Sequence, residues 1–378
     1  MKKQYLITPG PTPVPPEVAL QSALPVLHHR THEFGAMFQK AVDGMKRVYK
    51  TKEDILMISG SGTGAMEAAV ANTLSPNDTM IVGAVGSFGE RWIKIGEAFG
   101  AKVVPVREEW GKAVDPEKIR QALKEHPEAK GVFVQHTETS TGIVNDLVTL
   151  GKIVAETSAI LVVDAISGLG GEELHMDDWK LDVVVAGSQK GLMLAPGLAF
   201  ASVSSKGWDA VKTSKNPKFY FNFLQIRKSL ADNETPWTPP VSLVAGLVAA
   251  LDMIHKDGIE NVWARHRRLA AMARAGMQGL GLSLLADRPC AVLTSGKLPA
   301  SVDGKKVVNW IRDEHGVSVA GGQEKLAGKI VRLAHMGYMD SFDLIIGLTA
   351  LEWGLKKFGM SVTPGKAVQA AQEAVAAA

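Results

Sequence analysis

The chain has 378 residues, more than one typical domain and enough for two with a large core. An apolar share of 46% and a charged share of 21% are those of a soluble globular protein, and a net charge of +3 argues against nucleic acid or an anionic membrane as partner. The lone cysteine, Cys290, excludes an internal disulfide framework and a multi-cysteine metal site. With no segment that reads as a signal core or membrane span, the expected location is the cytoplasm.

In chain order, residues 1–16 are expected to form an N-terminal arm. The stretch Thr8-Pro-Gly-Pro-Thr-Pro-Val-Pro-Pro16 is too rich in proline for a helix or sheet interior. A helical segment follows near 17–50. Strands are expected at 55–59, 80–85, 103–106, 132–135, 160–164, 183–186 and 198–203. Helices at 64–73, 90–99, 116–126 and 146–157 separate several of them. This alternation predicts an α/β fold, a mostly parallel central sheet sandwiched by helices. Pro236, Pro239 and Pro240 then interrupt the chain, and 241–255 and 259–280 read as two long helices. The basic run Arg265–Arg268 on the second reads as a solvated helix face. Beyond about 282, shorter strands and helices at 302–315, 340–358 and 365–378 suggest a smaller α+β domain. The expected organisation is therefore an arm (1–16), a large domain (17–257) and a small C-terminal domain (258–378).

The apolar run 160–164 ends in Asp164, and Lys190 stands shortly after the run 183–186. Such runs read as strands buried on both faces, and ligands collect at the carboxyl ends of parallel strands. A carboxylate and an amine presented there suit pyridoxal phosphate chemistry: the lysine forms the Schiff base and the carboxylate keeps the pyridine nitrogen protonated. A buried salt bridge, or two unrelated surface charges, would leave the same trace. Ile58-Ser-Gly-Ser-Gly-Thr-Gly-Ala-Met-Glu67 follows a strand and opens a helix, where amides and the Ser61 and Thr63 hydroxyls can bind phosphate. It lacks the Gly-Lys-Ser/Thr ending of an ATP-type loop, and a plain strand-to-helix turn also uses Gly and Ser. In Gly83-Ala-Val-Gly-Ser-Phe-Gly-Glu-Arg91, Phe88 could lie against an aromatic ring or pack in the core. In His136-Thr-Glu-Thr-Ser-Thr-Gly142, Thr139 could donate to a ring oxygen, although a capped turn explains the same composition.

Ser59-Gly-Ser-Gly62, Glu138-Thr-Ser-Thr-Gly142, Val163-Asp-Ala-Ile-Ser-Gly168 and Gly187-Ser-Gln-Lys-Gly191, in that order and spacing, resemble the class V pyridoxal phosphate aminotransferases of fold type I. The branch they look most like holds alanine–glyoxylate and serine–glyoxylate (serine–pyruvate) aminotransferases, together with chains described as the small subunit of a soluble hydrogenase. The likeness runs from Thr8-Pro-Gly-Pro11 to Lys329-Ile-Val-Arg-Leu333. It implies pyridoxal 5′-phosphate as cofactor, small amino acids and 2-oxo acids as substrates, and ping-pong kinetics. By the same resemblance Lys190 carries the cofactor and moves the substrate proton, and Asp164 meets the ring nitrogen. Phe88 and Ile166 pack on the two ring faces, Ser61, Gly62, Thr63 and Gln189 surround the phosphate, and Thr139 meets the ring oxygen. Thr238, in Thr235-Pro-Trp-Thr-Pro-Pro240, matches a hydroxyl that reaches the neighbouring subunit's phosphate, which implies a homodimer with shared sites. Thr235 stands where some relatives have tyrosine. Arg332 matches the arginine that holds the substrate carboxylate, a role suited to a guanidinium fork.

Leu27-His-His-Arg-Thr-His-Glu-Phe34 falls outside this scheme. Adjacent His28 and His29 point apart on a helix or strand, so hydrogen bonding by the histidines, His32 included, or a pocket contribution from Arg30 is expected rather than a metal site. Two other readings remain: lyase or desulfurase chemistry of the same class, which for desulfuration needs a reactive cysteine, and an accessory subunit of a hydrogenase-type assembly. Cys290 precedes an apolar run and reads as an inert buried thiol.

Overall fold

The computed structural model describes residues 2–376. Its centre is a seven-stranded sheet in the spatial order Ile55–Gly60, Gly197–Val203, Val183–Gly187, Ile160–Asp164, Gly131–Gln135, Thr79–Ala84 and Lys102–Arg107. Gly197–Val203 runs antiparallel to both neighbours, and every other pairing is parallel. The inner strands are unbroken runs such as Ile-Leu-Val-Val and Val-Val-Val-Ala with every position buried, because helices cover both faces.

Strand residues alternate between those faces. Val132, Val134, Leu161, Val163 and Val184 pack with the helices His32–Tyr49, Leu147–Ala155 and Val241–Asp257. Phe133, Val162, Val183 and Val185 pack instead with Gly62–Thr73, Ser87–Ala98 and Ser205–Thr213. The second face matters most here, because alternation puts Gln135 and Asp164, each two residues beyond a member of that core, on it.

A four-stranded antiparallel sheet, ordered Ser283–Leu284, Leu293–Lys297, Ile330–Ala334 and Ala320–Gly321, packs with the helices Gly304–His315, Ser341–Lys357 and Lys366–Ala376 around a separate core. The start of the chain joins it: Tyr5–Leu6 pairs in parallel with Val317–Ser318. Among the described residues no helix is long and apolar enough to cross a membrane.

Two expectations need correction. The helix near 17–50 is two helices, Pro16–Ser22 and His32–Tyr49, because Pro25 interrupts the pattern and Thr31 starts the second by accepting the Phe34 amide. Arg265 does not belong to a solvated face; its guanidinium donates to the Met339 and Gly337 carbonyls at 2.8 Å each, and only Arg267 and Arg268 of the run are exposed. The helices Ser205–Thr213 and Phe223–Leu230 carried no expectation. The C-terminal helix is described as Lys366–Ala376, and residues 377–378 of its expected span lie outside the described residues.

Candidate active site

Asp164 is the last residue of its strand, in register with Val185 of the strand that leads to Lys190. One Asp164 oxygen accepts the Ile166 amide at 2.8 Å. Burial pushes the carboxyl up to about 7; the Ile166 amide opposes this, Glu138 adds to it, and Arg91 and Lys190 oppose it. Lys190 is affected in the opposite sense: burial pulls its amine down to about 8 against the pull of Asp164, with Arg332 and Arg91 lowering it further. Each group therefore lies within reach of both protonation states near neutral pH.

The proline arm holds this lysine. The Lys190 amine donates to the Pro9 carbonyl, the Thr12 hydroxyl donates to the Lys190 carbonyl at 3.0 Å, and the Thr12 amide donates to the Gln189 carbonyl at 3.2 Å. Gly10 is required at its position, since its φ of +127° disfavours a side chain and a Cβ would overlap the Lys190 amine.

Ser61 precedes the helix Gly62–Thr73, whose first amides have no partner within the helix. A Cβ on Gly62 would stand 2.6 Å from Ile166 Cδ1, so this helix start closes tightly on the Asp164 turn. A Cβ on Gly187 would lie 3.2 Å from Gln189 Oε1 and 3.4 Å from the Gly62 amide, which sets the Gln189 carboxamide beside the helix start. Gln189 Oε1 is buried and has no partner. Ser61 and Thr63 are exposed, and the Thr63 hydroxyl accepts from Arg91 at 2.9 Å.

Phe88 lies in the first turn of Ser87–Ala98 with the Arg91 guanidinium 4.7 Å over its ring. Buried Glu138 accepts the Phe88 and Gly89 amides at 3.1 and 3.0 Å, satisfying this helix start. Desolvation raises the Glu138 carboxyl; its bonds from Ser140, Gly89 and Phe88 pull the other way. The Thr139 hydroxyl is 2.7 Å from that of Ser167, and the Thr139 carbonyl accepts from Arg332 Nη1 at 2.6 Å. Arg332 Nε donates to the Gly321 carbonyl at 2.8 Å, so two of the five donors of a guanidinium are fixed by backbone. Burial lowers Arg332 to about 10, with Glu138 opposing.

Thr238 is exposed in a surface groove beside Val26, Leu27, His28 and His29. Arg30 pairs with Glu234 and donates to the Thr235 carbonyl at 2.9 Å, while His28 Nδ1 accepts the Arg30 amide at 3.3 Å. The histidine segment thus docks on the Thr235 stretch. Among the described residues no three His, Cys, Asp or Glu side chains gather as a metal site. Sequence reasoning gave no role to Arg91, Glu138 or Gln135. All three stand within the quoted motifs or beside them, but their contacts join residues far apart in the chain.

Cys290 is fully buried, 3.5 Å from the Leu293 carbonyl, and burial pushes its thiol up to about 12. A thiol so placed is not a nucleophile near neutral pH. Cys290→Ala is accordingly expected to leave turnover unchanged, checked by steady-state assay of the purified variant; loss of turnover with the fold intact would contradict this.

A sheet of this order flanked by helices is the architecture of the fold type I pyridoxal phosphate enzymes, and ligands collect at its carboxyl edge, where Lys190 and Asp164 stand. The family profile for aminotransferase class-V matches residues 4–338, and the chain belongs to that family. It is 41% identical to the soluble hydrogenase 42 kDa subunit of Anabaena cylindrica, over 94% of each chain. It is 34% identical to the L-aspartate–glyoxylate aminotransferase of Paracoccus denitrificans, covering 97% of this chain and 95% of that one. The identity is likewise 34% with the serine–glyoxylate aminotransferase of Hyphomicrobium methylovorum, over 98% and 94%. Among solved structures, pyridoxamine–pyruvate aminotransferase from Mesorhizobium loti superposes with a TM-score of 0.95 at 30% identity, over 100% of this chain and 98% of that one. The chain is a pyridoxal phosphate-dependent transaminase.

Proposed function

We propose that this transaminase takes an amino group from a small amino acid, alanine or serine, and delivers it to glyoxylate or pyruvate in two half-reactions with ping-pong kinetics. The observation that carries the transaminase chemistry is the buried Lys190 amine set against Asp164, with Arg332 held beside Thr139, and the likeness to serine–glyoxylate aminotransferase supports the substrates. The residues present fit the cofactor. A largely enclosed amine of lowered proton affinity suits an aldehyde, and unpaired helix-start amides suit a phosphate, with the Gln189 carboxamide beside them able to turn its Nε2 donor to it.

When bound, pyridoxal phosphate supplies a protonated pyridine ring that accepts the electron pair left as an amino acid loses its α-proton. Lys190 Nζ would take that proton from the substrate α-carbon and hold it for return on the cofactor side. Asp164 holds the proton on the ring nitrogen. Phe88 and Ile166 would confine the ring between them, and Thr139 would meet its oxygen. Ser61, Gly62, Thr63 and Gln189 receive the phosphate. The Arg332 donors not taken by the Thr139 and Gly321 carbonyls clamp the substrate carboxylate. The arm (1–16) closes the site over the large domain (17–257), and Arg332 comes from the small domain (258–378).

The site is shared in a homodimer on this reading. Leu20, Leu24 and Val26 are exposed at 66%, 54% and 69%, and Val26 borders the groove that holds Thr238. Apolar surface of that kind beside a hydroxyl expected to reach a partner's phosphate supports pairing of two copies. A lone buried thiol supports a cytoplasmic location.

Because an amine must be uncharged to add to an aldehyde, capture of pyridoxal phosphate by the cofactor-free chain is expected to accelerate as pH rises, reaching half its plateau near the Lys190 value of about 8. Stopped-flow absorption across the pH range checks this, and a rate that falls with pH would contradict it. The reading itself is tested by presenting alanine, serine and aspartate to the enzyme with glyoxylate, pyruvate and 2-oxoglutarate. Turnover from alanine or serine to glyoxylate or pyruvate, with parallel double-reciprocal plots, is expected; turnover restricted to aspartate or 2-oxoglutarate would overturn it. The likeness to a soluble hydrogenase subunit favours a second reading, an accessory subunit. A single cysteine rules out a four-cysteine cluster within one copy, and full turnover by the purified chain alone would count against an obligate accessory role.

A further inference from the structure

Gln135 ends the strand Gly131–Gln135 and is fully buried, yet neither its Oε1 nor its Nε2 has a hydrogen-bond partner. A buried carboxamide left this way costs the fold stability, so two orphaned atoms at the carboxyl edge of the sheet require a reason. Their placement supplies one. Gln135 is in register with Asp164 on the adjacent parallel strand, and paired residues of neighbouring strands point to the same face. That face is the one filled by Phe133 and Val162 two residues earlier, beneath the helices Gly62–Thr73 and Ser87–Ala98. Strands lie about 4.8 Å apart, so the two side chains stand flank to flank. On its other flank Asp164 is paired with Val185, on the strand that leads to Lys190. A Cβ on Gly89 would stand 3.2 Å from Gln135 Oε1, so the carboxamide also abuts the helix start that carries Phe88.

We propose that Gln135 is a positioning residue for the cofactor, its carboxamide donating to the Asp164 carboxylate when that carboxylate is ionised against the ring nitrogen. A carboxylate offers roughly four acceptor positions. The Ile166 amide takes one at 2.8 Å, the ring nitrogen takes another, and Gln135 fills a third from the flank away from Lys190. The charged groups bearing on Asp164 are Glu138, which repels its charge, and Arg91 and Lys190, which attract it. A neutral donor suits the remaining flank, since it steadies the carboxylate without adding a cation that would compete with the ring nitrogen. The unpaired amide of Gln135 thus becomes paired when the cofactor is bound.

This inference rests on the transaminase reading, and one experiment separates the two. Gln135→Met keeps the length of the side chain and removes both polar atoms; Gln135→Leu, one bond shorter, is a second apolar variant. Pyridoxal phosphate is titrated into each full-length chain after cofactor removal, and the melting temperature of each cofactor-free chain is measured. Both variants are expected to hold the cofactor roughly ten- to a hundredfold more weakly, the factor for one hydrogen bond to a charged group. Their cofactor-free melting temperatures are expected to equal or exceed that of the wild type. Variants that bind as tightly as the wild type would overturn the proposal. So would variants that melt lower or do not fold, because the amide would then be serving the scaffold. A wild-type chain that captured no pyridoxal phosphate would instead remove the transaminase reading itself.

Discussion

Lys190→Ala is expected to lower transaminase turnover by at least ~10⁴-fold, because one positioned base contributes ~10²–10⁴ and a group that also carries the reacting bond contributes more. On the proposed reading this position serves both tasks. Its amine is drawn down to about 8 by burial, so an appreciable fraction is uncharged at neutral pH and can accept the α-proton. Below that value the folded chain encloses a charged amine, at a cost of roughly 3 kcal/mol for a shift of this size. Replacing it by alanine removes this cost along with the Pro9 contact, so the variant should remain folded. The check is saturating steady-state turnover alongside circular dichroism. A folded variant retaining a tenth of wild-type turnover would show that Lys190 is not the base.

Asp164→Asn is expected to lower the chemical step on the order of 10³-fold, the scale seen when one preorganised electrostatic partner of developing charge is lost. Asparagine keeps the size of the side chain and still accepts the Ile166 amide, so the turn that packs against Gly62 is preserved. What disappears, on the proposed reading, is the negative charge that would hold a proton on the ring nitrogen. The Lys190 amine also loses an attractive neighbour, since Asp164 raises its proton affinity. The pH at which cofactor capture is half-maximal should therefore move down from about 8 rather than up. Single-turnover absorption kinetics separates the two effects. An unchanged chemical step, or a capture midpoint moved to higher pH, would contradict this role.

Asp164 closes an apolar run and Lys190 stands just beyond another, a trace that a buried salt bridge would also leave; what made the pair legible was the ordered set of motifs around it. The helix starts at Gly62 and Ser87 were legible as glycine-rich turns, although both helices begin two to three residues earlier than periodicity indicated. Periodicity counts apolar positions, whereas the first turn of each helix is built from Gly, Ser, Thr and Phe at the site itself. The remainder depends on contacts between distant parts of the chain. Glu138 takes the Phe88 amide across 50 residues, and Arg332 reaches the Thr139 carbonyl across 193. Residue type suggests such partners only after the fold brings them together. Arg265 shows the reverse error: a basic run on a helix reads as solvated, yet one turn of that helix faces the loop Gly337–Met339, whose carbonyls its guanidinium satisfies. The antiparallel direction of Gly197–Val203 was likewise hidden, since a buried strand has the same composition in either direction.

The most direct test is to load the purified chain with pyridoxal phosphate, reduce it with borohydride and map the modified peptide by mass spectrometry. The cofactor is expected on Lys190, with the modification suppressed when alanine or serine is added before the reductant. Modification of a different lysine, or none at all, would contradict the assignment of Lys190 and the chemistry built on it.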